Sequence, residues 1–404
     1  MWVWIPRYAY KINKSNQTFD VVFLVGTTDS YYDKDGKLQT AKRQTSETDI
    51  PDATKDYVVH PAFTNESNIG YVNGGWKKEL TGIWVSKFEA GYFDKNLVDA
   101  DKEKYSSSVK YSQTYGYTTA GKNEDARNYL DGVYGSKTTA IKYPTFQGGK
   151  YSMNYINHND AFNISKAIAG DSNNVYGLKN STDSHLIKNS EWGAVAYLGQ
   201  SQYGLYNKNI RINNVNMGDN SNFVYAMTGY AAKEEDAENT INANAIAWNQ
   251  FGGELASTTG TIYGIYDMSG GTWERSAAIA NNGNEKLNTY GNAIMNALNS
   301  GKSTEYVTVY PNGETSGQSL DDASKSNYTA NTKIYGDAIR ETSTAGLGQT
   351  SWYSDYSYFV GTDNPFFVHG GTSWHTSVAG IFCFFRADGN SSYTVGFRPV
   401  LVAQ

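Results

Sequence analysis

Few side chains in this chain could do chemistry, and their spacing limits what kind. The single cysteine, Cys383, rules out an internal disulfide or a paired-cysteine centre. It stands in an aromatic run, Ile381-Phe382-Cys383-Phe384-Phe385, where a thiol is by default buried and inert. Ser373 and His375 are neighbours in sequence only, with no G-x-S-x-G elbow to expose a nucleophile. Phosphate-loop and zinc spacings are absent from the sequence. Lys87 and Glu89 lie two apart on one strand face and read as a surface pair rather than an acid–base couple. His185 has no second His or Cys at metal-ligand spacing, so packing or capping is its expected role. Asp33, Asp35 and Gly36 carry part of a calcium-loop pattern. The positions for its acidic first ligand and closing glutamate hold Tyr31 and Lys42, which favours an Asp-Gly hairpin turn. The expectation is a protein that is not an enzyme and takes no cofactor and no metal.

The elements that would position these residues sit in a chain of 404 residues with a formal net charge of −6. That balance argues against nucleic-acid binding, which needs a basic surface. No apolar run approaches the roughly 20 residues of a membrane span, and no secretory signal is visible. The chain opens directly on Met1-Trp2-Val3-Trp4, already a strand pattern, and an export or anchoring segment is expected to lie outside it. With one cysteine, stability must come from a large core. Tyr (33), Trp (9) and Gly (40) mark a loop-rich β protein. The same mix is used by antibody paratopes, where Tyr and Trp give rigid contact area and Ser, Gly and Asn adapt. The plainer alternative is that these tyrosines only cover irregular loops.

Strands are expected at Trp2–Ile5 and Asp20–Val25, and at Ile83–Phe88 with Trp192 and Trp273 in the same core. Helices are expected over Tyr155–Gly170, capped by Asn159 or Asp160, within Ser184–Leu198, capped by Asn189, and over Leu287–Leu298. In the final stretch, Ala379–Phe385 and Thr394–Val402 read as strands, and Trp374 and Phe397 as core. Gly370-Gly371 marks positive φ or close backbone approach.

Four motifs occur in order: Gly82-Ile83-Trp84-Val85-Ser86-Lys87-Phe88-Glu89, Asn189-Ser190-Glu191-Trp192, Tyr266-Asp267-Met268-Ser269-Gly270-Gly271-Thr272-Trp273-Glu274, and Gly396-Phe397-Arg398-Pro399-Val400-Leu401. With His369-Gly370-Gly371-Thr372-Ser373-Trp374 they resemble the variable proteins of diversity-generating retroelements, in the formylglycine-generating-enzyme-like branch of the C-type lectin fold. Gly271 stands where that branch usually has Asn, Arg275 where it has a second Trp, and His369 where it has Arg. The resemblance covers residues 80–275 and 350–404. It implies an α+β, C-type lectin-like fold: a twisted, mainly antiparallel sheet, two flanking helices and extensive irregular loops. Residues 1–79 would be a β-rich extension packed on the core. Residues 80–404 would be the lectin-like domain, with an insertion at 276–350 and a variable region at 352–404.

The resemblance further implies a non-catalytic binding protein whose C-terminal surface is diversified. The expected ligand-facing positions are Val360, Gly361, Thr362, Asp363, Phe367, His369, Thr372, His375, Thr376, Ser377, Val378, Ile381, Cys383, Phe385, Asn390, Thr394 and Val395. Ile381, Cys383 and Phe385 alternate, so the core is their other destination. The partner would be a protein or glycan on another surface, and the location a bacterial cell surface or phage virion. An undiversified phage-tail or cell-surface adhesin of the same fold is the alternative. An oxidase of the formylglycine-generating type is disfavoured, because that chemistry uses two cysteines.

Overall fold

Strands from both ends and the middle of the chain meet in one antiparallel sheet. The computed structural model describes residues 1–45, 48–65, 75–91, 144–150, 152–154, 156–170, 176–178, 181–215, 226–233, 245–299, 305–331, 334–392 and 394–403. The chain begins with β1 (Trp2–Pro6), the pair β2 (Tyr8–Asn13) and β3 (Thr18–Phe23), the hairpin β4 (Ser30–Tyr32) and β5 (Leu38–Thr40), and β6 (Val58–Val59). The β4–β5 turn is the expected one. Asp33 Oδ1 accepts from the amides of Asp35 and Lys37, and Gly36 has φ +74°. Next come β7 (Gly82–Ser86), α1 (His158–Gly170), β8 (Thr182–Leu186), α2 (Asn189–Gly199), and the hairpin of β9 (Tyr230–Ala232) and β10 (Ala245–Ala247). The last part holds β11 (Trp273–Ala280), α3 (Glu285–Ala297), β12 (Thr308–Tyr310), α4 (Leu320–Ala330), β13 (Phe366–His369), β14 (Phe384–Ala387), β15 (Val395–Phe397) and β16 (Pro399–Ala403). This is a mixed α+β fold. No helix among the described residues is long and apolar enough to cross a membrane.

The central sheet has the order β1-β7-β16-β8. In β7, Ile83 and Val85 turn into the core while Trp84 faces out, the period of two that its sequence shows. Val85 pairs with Val400 and Trp84 with Leu401, so the 83–88 and 394–402 segments share this sheet, as the resembling fold implies. The C-terminal stretch is nevertheless two strands. It breaks at Arg398: β15 runs parallel to β11 in a second sheet, and β16 enters the central one. The second sheet has the order β12-β11-β13-β14. All eight residues of β11 are buried, which is why its middle is Ser276-Ala277-Ala278, small enough for neighbours on both faces. Residues 276–350 are thus tied into this sheet: β11 crosses their start and β12 pairs with it.

Several local expectations change. Ser184–Leu186 belongs to β8; the helix expected within Ser184–Leu198 starts at Asn189, with Lys188 rather than Asn189 as N-cap. Glu191 reaches back to accept from the Lys188 amide at 2.9 Å, which satisfies an orphan donor and places an anion at the helix start. Asn157 rather than Asn159 or Asp160 caps α1, its Oδ1 accepting from the Asp160 amide at 2.8 Å. Helix α4 has no counterpart in the sequence reading. Of 379–385 only Phe384 and Phe385 are strand; before them the chain turns, with the Cys383 amide bonded to the Gly380 carbonyl. Lys87 and Glu89 are buried and apart, because β7 ends at Ser86 and alternation ends with it. Lys87 Nζ donates to the Ile262 carbonyl and lies 4.8 Å from the Trp248 ring centre. Glu89 accepts from the hydroxyls of Ser152 and Thr272.

Two devices join the sheets. Arg398 Nε and Nη2 grip Glu274 at 2.8 and 2.5 Å, and both residues are fully buried. Arg398 Nη1 and Nη2 also donate to the carbonyls of Ser86 and Tyr266, each at 2.7 Å. The two Gly-Gly corners, Gly270-Gly271 and Gly370-Gly371, all have φ between +72° and +85°. The corners bond to each other through the Gly270 amide and the Gly370 carbonyl, 2.9 Å apart. A Cβ on Gly371 would lie 2.6 Å from that of Ala379, so the second corner has room only for glycine.

His185 joins β8 to α2. Its Nε2 lies 2.8 Å from Glu191 Oε1 and its Nδ1 3.2 Å from Asp183 Oδ1. Burial alone would lower the His185 pKa, but Glu191 and Asp183 raise it above 6.5. Burial pushes the other way on Asp183, yet His185, Lys166 and Tyr306 bring it down to about 2.

Two outcomes follow for stability. Arg398→Met leaves Glu274 buried without its partner and should lower the urea-unfolding free energy by about 3–5 kcal/mol. The double variant Arg398→Met, Glu274→Leu should recover part of that loss; no recovery would contradict the assignment. The histidine's contribution is full below its ordinary value of 6.5 and is lost as pH rises through the raised folded value. That of Asp183 is full above 3.8 and is lost as pH falls toward about 2. Melting temperature should therefore decline as pH rises above the ordinary histidine value of 6.5, and less steeply in His185→Gln. Parallel profiles for the two proteins would remove His185 as the cause.

Candidate functional site

At the His369 end of β13, rings from four separate stretches form one aromatic platform. Trp273 lies 5.1 Å from His375 and 5.4 Å from Phe385, centre to centre. Tyr356 lies 5.5 Å from His375 and 5.6 Å from Tyr358, and Tyr358 lies 4.8 Å from Phe385. Tyr356, Tyr358, His375 and Phe385 are half-buried, so each offers part of its ring to solvent. Beneath them Val368, Cys383 and Val395 form a small apolar cluster with Trp273. Arg386 stands at the rim, 5.5 Å from the Tyr358 ring centre and 2.6 Å from Asp321.

The platform's turn is held by His375. Its Nδ1 accepts from the Thr372 amide at 3.0 Å and lies 2.8 Å from Thr372 Oγ1. Burial lowers its pKa to about 4, so the ring is neutral near neutral pH and serves as a cap. Ser373 is buried, and its Oγ has no hydrogen-bond partner among the described residues. His375 Nδ1 is thus engaged by Thr372 rather than by a serine nucleophile. Trp374, expected in the core, is only half-buried, because it follows the corner at Gly371 where the chain emerges.

Of the seventeen expected ligand-facing positions, eight are packed inside this chain, a correction with a distinct reason at each. Val360 and Phe367 fill a core with Tyr310, Tyr328 and Phe384. Gly361 lies against α4, where a Cβ would meet Ala323 at 3.0 Å. His369 stacks on Trp192, its Nε2 is 2.9 Å from Asn189 Oδ1, and burial keeps it neutral with a pKa of about 3. Thr372 is the partner of His375. Ile381 lies in the core, and its carbonyl accepts from Trp192 Nε1 at 2.7 Å. Cys383 and Val395 support the platform from below.

The nine accessible positions fall into two groups. His375 and Phe385 are platform rings, Val378 and Thr394 bond through their carbonyls to the Tyr356 and Trp273 amides, and Thr376 and Ser377 continue the turn between His375 and Val378. Thr362, Asp363 and Asn390 lie at the opposite end of the β13–β14 pair, as the register Phe366↔Ala387 and His369↔Phe384 requires. There Lys286 reaches Asp363 at 3.4 Å and Asp388 at 3.8 Å, so that end is an ion-paired rim. Tyr356 and Tyr358 belong to the platform yet were missed. The signal was the run Trp352-Tyr353-Ser354-Asp355-Tyr356-Ser357-Tyr358, whose Tyr-Ser alternation is the paratope mix at its densest.

Cys383 is fully buried, and burial, then the nearby Asp355, raises its pKa well above the ordinary value. A thiol reagent should therefore label the native protein negligibly and the urea-unfolded protein stoichiometrically, measured by absorbance of the released thiolate. Fast labelling of the native protein would contradict the buried placement. Comparison of the chain with protein-family models and with curated proteins finds no match.

Proposed function

We propose that this chain is a non-catalytic ligand-binding protein with a C-type lectin-like fold, displayed on a bacterial cell surface or phage virion, whose C-terminal surface is diversified by a retroelement. The observation that carries this reading is the aromatic platform itself. Half-buried Tyr and Phe rings fixed at their bases, beside a polar turn, are the arrangement by which interfaces obtain contact area at low entropic cost. The fold assignment is supported by the sheet in which β7 and β16 pair, by helices α1 and α2, and by the Glu274–Arg398 tie between two of the resembling motifs. The platform draws most of its residues from 352–404, the segment in which variation is expected. The lone, buried Cys383 supports binding over paired-cysteine oxidation.

The test is display-based binding to panels of bacterial surface proteins and glycans, with melting temperatures measured in parallel. Tyr358→Ala with Phe385→Ala should reduce binding at least about tenfold while the fold persists, since hot spots cluster in such anchors. Substitutions at the exposed Ser377 should change ligand choice at a stability cost within about 0.5 kcal/mol. Phe397→Ala, at a fully buried position, should instead cost about 3–5 kcal/mol. If the platform variants unfold as badly as Phe397→Ala, the platform is core and the reading fails. A reverse-transcriptase gene beside the coding sequence, with an imperfect repeat of its last part, separates a diversified protein from an undiversified adhesin.

A further inference from the structure

Thr376 and Ser377 also wall a second concavity, a cleft of about 340 Å³ whose opposite side is the 207–212 stretch. Its lining includes two cations, Lys208 and Arg211, and no carboxylate. Arg211 is fixed from behind, its Nη1 donating to the carbonyls of Ala232 and Lys233. Its Nε is buried and has no hydrogen-bond partner among the described residues, so the guanidinium carries an unmet donor beside the cleft. Ser269 also lines the cleft; it is 2 % exposed, and its Oγ has no partner among the described residues. Tyr353 supplies a ring, held in place by its hydroxyl, which donates to Gln200 Oε1 at 2.9 Å.

We propose that this cleft binds a small carboxylated sugar. The volume lies at the lower end of small-molecule sites, about 300–1,000 Å³, and suits one sugar residue better than a peptide. Two cations with no opposing carboxylate raise the local potential for an anion. A planar guanidinium pairs with a carboxylate more specifically than a point charge does. The hydroxyls of Ser269, Thr376 and Ser377 suit a partner rich in hydroxyls, and the Tyr353 ring suits the apolar face of a sugar. Lys208 and Arg211 lie outside 352–404, so the cleft does not depend on that segment being variable.

The experiment is a ligand-observed NMR titration of the full chain with glucuronic acid, glucose and inorganic phosphate. Glucuronate should bind at least about tenfold more tightly than either of the others, a difference of about 1.4 kcal/mol. Arg211→Met should weaken glucuronate binding about tenfold or more, and Lys208→Met severalfold. Should Arg211→Met lower the melting temperature, the exposed Lys208→Met carries the test. An oligosaccharide ending in glucuronate distinguishes sources. Equal or tighter binding assigns the site to a glycan terminus, and weaker binding assigns it to the free sugar. Equal binding of glucose, equal binding of phosphate, or unchanged affinity in the Lys208 variant overturns the proposal, as does the absence of glucuronate binding. Because these variants leave the platform intact, failure here is separable from failure of surface display binding.

Discussion

A guanidinium and a carboxylate without access to water hold the two sheets together. Arg398 spends four hydrogen bonds on Glu274, Ser86 and Tyr266, which brings β11, the end of β7 and the 266 loop to one point. Such a pair contributes little net stability against an apolar pair of the same size, but losing one member strands the other, so the geometry is strongly specified. Its neighbours obey the same constraint. Asp267 accepts from the Gly229 amide and from Asn213 Nδ2. Burial, and then the nearby Asp267 and Glu274, raise the Glu89 pKa well above the carboxylate range. One cation thus serves a site with three carboxyl groups, and hydrogen bonds satisfy the rest.

Much of this was legible in residue types. The paired glycines at 370–371 announced positive φ or close backbone approach, and both have positive φ; the pair at 270–271 has it too, without having been read that way. Gly271, at +72°, lies in the left-handed region that glycine adopts without a Cβ penalty. The helix around Trp192 was visible through its residue pattern, whereas the β7–β16 pairing was an implication of the resemblance alone. The break at Arg398 was not. In an alternating apolar strand, one arginine reads as an outward-facing residue, and only its partner 124 positions away shows otherwise. Lys87 and Glu89 misled for a related reason: charged residues two apart suggest one exposed face, whereas the strand had already ended. Helix α4 is mostly polar and holds few apolar residues, so its periodicity is faint.

The candidate surface was legible as a region and poorly as a residue list. Loops that present rings to solvent need their own interior, and many of the listed positions provide it. Tyr353, Ser354 and Thr376 all have positive φ, at +61°, +66° and +38°. Non-glycine residues tolerate that only where surrounding bonds over-determine the backbone, at a cost of about 1–3 kcal/mol each. Here the Tyr353 hydroxyl bond, the grip of Asp355 on the Phe382 amide and the Thr372–His375 cap do so. Exposed positions between such fixed points can change while the trace of the chain does not.

The last strand lies between two others, and this bears on how the protein is made. Because β16 sits between β7 and β8, and Arg398 just before it bonds to a carbonyl 312 residues upstream, nothing synthesised earlier can complete the central sheet. A ribosome that stops anywhere in the loop-rich segment releases a chain with an open sheet edge and an unpaired buried Glu274. Closing the central sheet therefore waits on contacts across 312 residues, whose loop-closure entropy must be met before the packing rewards it, so the sheet's core forms late.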